Sequence, residues 1–175
     1  VGGSSGHEAV GLAQNFPNLK LVVQDLPTVE QAFRAYVPAE LTSRITFQAH
    51  DFFNPQPVVA DVYFMKGVLL DWPDKYAIKV LRALLPGLRH GARVILCETC
   101  SPPKYNAKGD KVMPVPVERM MTSLDLQMLV ALNSKGRTIQ EWKSLLMQAD
   151  ERFELANVAT FPGTAWGLLE VVFRG

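Results

Sequence analysis

The chain has 175 residues, 48% of them hydrophobic and 20% charged, which suits one globular domain with a substantial core. Its formal net charge is +1 and the charges are interspersed, so neither nucleic acid nor an anionic membrane is expected as a partner. No apolar run reaches membrane-spanning length, and residues 1–16 lack the charged-then-apolar pattern of a signal peptide.

Strand and helix patterns alternate along the chain. Gly2 to Gly6 is a glycine-serine turn, and His7 to Asn15 has helical spacing. Leu19 to Val23 is a short apolar strand followed by Asp25, and Thr28 to Tyr36 is a helix with a threonine suited to N-capping. Ile45 to His50 predicts a strand, followed by the turn Asn54-Pro55-Gln56-Pro57. Ala60 to Met65 predicts another, and Asp74 to Leu85 a helix stopped by Pro86-Gly87. Arg93 to Glu98 is rich in β-formers, whereas Ser101 to Pro116 is a long loop broken by prolines and Gly109. Pro116 to Leu132 is a long helix, and Thr138 to Ala149 a further one with Thr138 and Glu141 in capping-box spacing. Phe153 to Ala159 and Leu168 to Phe173 close the chain as strands.

Short buried strands alternating with helices predict an α/β fold, a doubly wound and mostly parallel sheet with helices on both faces. The last two strands leave no room for a crossover helix and are expected to pair as an antiparallel hairpin. Val1-Gly2-Gly3 falls at a strand-to-loop transition, so residues 1–175 are expected to form the C-terminal domain of a longer protein. Cys97 and Cys100 have CxxC spacing, but without a second pair or clustered histidines no metal is expected. The motif follows an apolar run instead of opening a helix, which argues against a redox pair and for reduced thiols in a cytoplasmic protein.

Gly2-Gly3-Ser4-Ser5-Gly6, just before a helix, has the form of a nucleotide-type glycine loop. Glycines let the backbone approach a ligand, and the helix N-terminus offers free amides and a positive dipole end. Asp25 lies about twenty residues on, where an acid at a strand end accepts hydrogen bonds from ribose hydroxyls. Its alternative role is that of a turn aspartate before Pro27. Asp51 and Phe52 add an acceptor and an aromatic face suited to an adenine ring. Lys66 ends an apolar strand at the ligand-binding side of such sheets. It is placed to hold a carbonyl or oxyanion with a partly desolvated ammonium, or else extends to solvent from a strand edge. Met120, Met121, Leu124 and Met128 recur at helical spacing, as core or as an adaptable apolar lining. Trp142 and Trp166 are expected in the core.

These residues carry a resemblance. Val1–Gly6, Val23-Gln24-Asp25-Leu26-Pro27, Asp51-Phe52-Phe53 and Asp71-Trp72-Pro73-Asp74 follow the order and spacing of the small-molecule, caffeate-type O-methyltransferases of plants and fungi. The likeness continues through Arg137-Thr138 to the terminal strands. It implies a Rossmann-like class I methyltransferase fold with a mostly parallel seven-stranded sheet, and S-adenosylmethionine (SAM) as cofactor. By that resemblance Gly2, Gly3, Gly6, Asp25, Leu26, Asp51, Phe52 and Lys66 form the cofactor site. Asp25 would hold the ribose, with Asp51 near the adenine amine and Phe52 against the ring. Leu70, Trp72, Met120, Met121, Leu124 and Met128 fall in the acceptor pocket, for an apolar or aromatic small molecule. The family also carries an N-terminal helical region, which shapes the pocket and forms a homodimer.

The sequence departs from that family where the chemistry happens. Ser4 stands at the usual third glycine. The family's general base is a histidine that deprotonates the acceptor hydroxyl; Leu70 takes its place, and leucine cannot accept a proton. Of the two carboxylates that flank the base, Glu98 matches the first and Gly136 stands at the second. Lys66, Glu98 and Asp71 are the candidate catalytic groups that remain. Asp71 has an alternative role as a helix cap, and Glu98 as the partner of a neighbouring basic side chain. The expectation is an enzyme of secondary metabolism that binds SAM yet runs dehydration or pericyclic chemistry, as fungal O-methyltransferase-like pericyclases do. O-methylation with an unconventional or absent base, and a non-catalytic SAM-binding role, are the alternatives.

Overall fold

The computed structural model describes residues 1–101, 108–111, 113–161, 164 and 166–175. In chain order come α1 (His7–Asn15), β1 (Leu21–Asp25), α2 (Glu30–Tyr36), β2 (Ile45–Ala49), β3 (Val62–Lys66) and α3 (Asp74–Leu84). They are followed by β4 (Arg93–Ser101), α4 (Val115–Leu132), β5 (Arg137–Thr138), α5 (Ile139–Ala149), β6 (Phe153–Thr160) and β7 (Trp166–Phe173). The predicted loop before α4 lies partly outside the described residues. Within the described part, Pro114 caps α4 and Pro116 sits in its first turn, where a missing N–H costs nothing.

β1 and β2 pair in parallel, as do β3 and β4; α2 and α3 are the crossovers that parallel pairing requires. β7 runs antiparallel to β4 and β6 antiparallel to β7, as the short link between them dictates, giving the order β3-β4-β7-β6. The short β5 adds in parallel to the end of β4. The two groups of strands meet at the start of the chain. There the Val1 amino group donates to the Phe64 carbonyl at 2.9 Å, and the Gly3 N–H to the Gln24 carbonyl at 3.1 Å. Beside this junction the edges of β1 and β3 flank a cavity of about 200 Å³ lined by Val22, Gln24, Val62 and Phe64.

The main core packs β3, β4 and β7 against α3 and α5, around Met65, Leu81, Leu96, Trp142 and Leu169. A smaller one gathers Val10, Val23, Phe33 and Ile45 between the first two helices and strands. Alternation along β3 buries Tyr63 and Met65 in the main core and turns Val62, Phe64 and Lys66 to the opposite face. α5 starts on the expected capping box: the Glu141 N–H donates to the Thr138 hydroxyl at 3.2 Å, and the Thr138 N–H to the Glu141 carboxylate at 2.8 Å. Trp166 departs from expectation, since it begins β7 at the sheet's margin and is 36% exposed.

Trp142 is completely buried, with its indole N–H directed at the Thr99 carbonyl 3.4 Å away. Trp142→Ala is expected to lower the unfolding free energy by about 3–5 kcal/mol in urea titration. A loss below about 1 kcal/mol would mean that this core is not close-packed.

Candidate functional site

The segments that follow β2 and β3 come together at the glycine loop: a Cβ on Gly2 would lie 2.9 Å from Val68, just after β3, and 3.9 Å from the Phe52 ring, just after β2. The glycine loop lies over the end of β1. Gly2 (φ +65°) and Gly6 (φ +85°) are left-handed, and so is Ser4 (φ +48°), which adopts the backbone that a glycine would take at little cost. A Cβ on Gly3 would stand 2.8 Å from a Val23 methyl carbon, so that position admits only glycine without a shift. The Asp25 carboxylate ties loop to strand. It accepts from the Ser4 N–H and from the Leu26 N–H, both at 2.8 Å, and keeps lone pairs for a ligand. Leu26 itself is exposed beside it.

A feature that sequence reasoning missed steadies the end of β1. Gln24 and Gln56 are buried and exchange amide hydrogen bonds at 2.7 and 2.8 Å, anchoring the residue next to Asp25. Glutamines in apolar surroundings are the only sequence signal for such a pair.

Asp51 accepts from the Phe53 N–H at 2.9 Å, which curls the chain after β2. Phe52 is thereby set beside the loop, its ring 3.9 Å from where a Gly2 Cβ would be. Its edge meets Trp72 (centroids 6.2 Å apart), and Phe53 meets Trp72 at 4.8 Å. This aromatic cluster links the glycine loop to the turn after β3.

Lys66 differs from the expected desolvated ammonium. Strand alternation turns it to the α1 face, where it forms an ion pair with Glu8 in the first turn of that helix. Glu8 raises the Lys66 pKa, so the amine stays charged but neutralised, and the side chain is 41% exposed. Next to it Gly67 is left-handed (φ +63°), and a Cβ there would lie 3.3 Å from the Trp166 ring. Trp166 therefore stands beside the end of β3.

The turn Leu69–Trp72 carries Leu70, which is buried at 7% exposure. Beneath it lies Glu98, with no solvent exposure. One Glu98 oxygen accepts from the Leu69 N–H at 2.9 Å and the other from the Leu70 N–H at 3.2 Å. Both oxygens thus face backbone. Asp71 is exposed, partial burial raising its carboxyl above the ordinary range, and it caps nothing: α3 starts from Pro73 without a side-chain cap. On α4, Met121 is buried, and Leu124, Asp125 and Met128 are half-buried on the same face, whereas Met120 points outward at 55% exposure. A helical step of one residue rotates Met120 off the stripe that its neighbours form. Gly136 donates its N–H to Asp125 at 2.9 Å, so a carboxylate from α4 stands beside the position where the sequence lacks one. An acid on the inward face of an apolar helix was the signal available for Asp125.

Among the described residues no cluster of metal-ligating side chains occurs, Cys97 and Cys100 are free, and no helix is long and apolar enough to cross a membrane.

Comparison with known proteins agrees with this geometry. A family model described as an O-methyltransferase domain matches residues 1–151. The chain is 40% identical to a grayanic acid biosynthesis cluster O-methyltransferase of Cladonia grayi, covering 99% of this chain and 38% of that protein. It is 41% identical to O-methyltransferase pgmB of Aspergillus terreus, covering 98% and 48%. Among solved structures, LepI in complex with SAH and a substrate analogue superposes with a TM-score of 0.84 at 28% identity, over all of this chain and 42% of that one. A structure described as a pericyclic reaction enzyme superposes with a TM-score of 0.83, at 28% identity and the same coverage. The chain thus spans under half the length of these proteins.

Burial pushes the Glu98 carboxyl up from 4.5 to about 7, against the pull of the Leu69 and Leu70 amides and of Arg137. A raised folded value means that the folded protein holds a proton which the unfolded chain has released between those limits. The stability contribution of Glu98 therefore falls as pH rises from 4.5 to about 7. Glu98→Gln is expected to flatten this part of the stability profile in urea denaturation at stepped pH. An unchanged slope would assign it to other groups.

Proposed function

Because this chain belongs to the O-methyltransferase domain family, we propose that it is the SAM-binding part of a fungal-type secondary-metabolism enzyme whose main reaction leaves the methyl group in place. The residues at the strand ends fit the cofactor. Asp25 has free lone pairs for ribose hydroxyls, Phe52 offers a ring face beside the glycine loop, and the α1 N-terminus points its amides at the same place. When bound, SAM supplies a fixed sulfonium charge and a transferable methyl group. Lys66, with Glu8, closes the loop side of that site.

One observation carries the reading: at position 70, where the family has its base, the turn presents a hydrocarbon. The acid beneath it, Glu98, has no solvent exposure and is covered by the turn whose amides its oxygens accept, whereas Asp25 is only half-buried. Proton removal from an acceptor hydroxyl therefore lacks its usual agent. Pericyclic rearrangement of an apolar or aromatic substrate moves no proton, and in a dehydration the proton lost from the substrate leaves with the departing hydroxyl as water, so neither needs a base at an acceptor hydroxyl. The sulfonium charge can stabilise charge developing on a carbonyl or leaving oxygen. Trp72, Leu70 and the inward face of α4 (Met121, Leu124, Met128) suit such a substrate.

A second reading, O-methylation, is favoured by the 40–41% identity to fungal O-methyltransferases. Losing a general base typically costs about 10²–10⁴ in rate, which an acidic phenol could offset. The remaining features of the proposal concern the whole protein. The open edges of β1 and β3 beside Val1 suit a preceding segment that enters as a further parallel strand, in a longer protein whose N-terminal helices form a homodimer. Free Cys97 and Cys100 suit a cytoplasmic setting.

Incubation of the full-length protein with SAM and candidate acceptors, followed by mass spectrometry, separates the two readings. The expected result is a SAM-requiring product with unchanged methyl count. Stoichiometric S-adenosylhomocysteine release would instead establish methylation. Lys66→Ala is expected to weaken SAM binding about fivefold by calorimetry, as loss of an exposed ion pair does, with turnover preserved at saturating SAM. Abolished turnover there would give Lys66 a direct role on the substrate.

A further inference from the structure

We propose that Glu98, Ser134 and Arg137 are positioning residues that lock the turn Leu69–Trp72 to the end of α4, so that this wall of the site is set before any ligand binds. That the wall faces a reacting acceptor rests on the function proposed above; the lock rests on geometry alone.

Three buried side chains from separate parts of the chain take five backbone groups of one short turn. Glu98, on β4, holds the N–H groups of residues 69 and 70. Arg137, on β5, donates to the Leu69 carbonyl at 2.9 Å and the Trp72 carbonyl at 2.8 Å, while its Nε donates to Asp74 at 2.8 Å. Ser134 donates its hydroxyl to the Leu70 carbonyl at 2.6 Å. All three residues are at most 3% exposed.

The electrostatics are specific. The carboxylate of Glu98 lies on the N–H side of the turn and the guanidinium of Arg137 on its carbonyl side. The peptide dipoles of the turn are thus aligned between a buried acid that accepts from its N–H groups and a buried guanidinium that donates to its carbonyls, each of which would be costly to bury without them. An ordinary surface turn needs no such device, since water satisfies its backbone. Ser134 adds the connection to α4: its own N–H donates to the Met128 carbonyl at 3.2 Å while its hydroxyl holds Leu70. One residue therefore joins the turn that presents Leu70 to the helix that presents Met121, Leu124 and Met128. Asp125, bonded to the Gly136 N–H, braces the same corner.

The test uses the full-length protein and the variants Ser134→Ala, Ser134→Thr and Glu98→Gln. Ser134→Ala removes the α4 connection without altering charge, and Glu98→Gln keeps shape but turns a donating amide NH2 toward one of the two N–H groups. The amides of residues 69 and 70 are expected to exchange hydrogen at least about tenfold faster in both variants. SAM affinity should stay within about twofold while kcat falls about ten- to a hundredfold, the size of effect that ångström-scale misplacement produces. Ser134→Thr, which keeps the hydroxyl, should recover most of that loss. Wild-type exchange rates at both amides would overturn the lock, and so would unchanged kcat in folded Ser134→Ala and Glu98→Gln proteins. If the wild-type protein neither bound SAM nor turned over any acceptor, the proposed function would fail, and the exchange rates would still decide the lock.

Discussion

A carboxylate shut away from water at the end of a strand must be met by donors, and that single requirement organises the reactive corner of this molecule. Glu98 meets it with the amides of Leu69 and Leu70. Once those amides are committed, the turn after β3 has one place to sit, and the carbonyls on its other side are directed at Arg137 and Ser134. Leu70, Asp71 and Trp72 inherit their positions from this arrangement, and α3 starts directly after it. Removing one partner would leave a buried charge or carbonyl unsatisfied, so the elements are interdependent.

The cofactor side rests on a different device, the meeting of the segments after β2 and β3 at the glycine loop. Asp25 joins the glycine loop to β1, the Gln24–Gln56 pair anchors the adjoining residue, and the Phe52–Phe53–Trp72 cluster carries the surface across to the turn. The residues proposed to hold a nucleoside therefore adjoin a hydrogen-bonded turn that carries leucine at position 70. The proposed change of reaction rests on that combination.

Much of this was visible in the sequence, for physical reasons. Helical spacing marked α1, a Pro-Gly stop α3 and a capping box α5, and the short link before β7 required a hairpin. The Thr28 cap expected for α2 does not form, since that helix starts at Glu30 without a side-chain cap. Glycine placement marked the loop, including a left-handed Ser4 where a glycine is usual. Long-range polar pairing was not visible. Nothing local in Lys66 announces Glu8, nothing in Glu98 announces the amides of a turn twenty-eight residues away, and a lone Ser134 gives no hint of Leu70. Amphipathic patterning also blurred Met120 and Met121, which differ by one helical step yet face solvent and interior respectively. Trp166 was misplaced because aromatic character predicts burial on average, whereas its position at the start of β7 puts it at the sheet margin.

The central claim is that the site holds SAM at the strand ends and offers the acceptor no protein base. A crystal structure of the full-length protein with SAM and a bound acceptor measures this most directly. The account predicts ribose hydroxyls on Asp25, adenine against Phe52, Leu70 against the acceptor, and no ionisable side chain within hydrogen-bonding distance of its reacting oxygen. An Asp71 or Asp125 side chain bonded to that oxygen would contradict it.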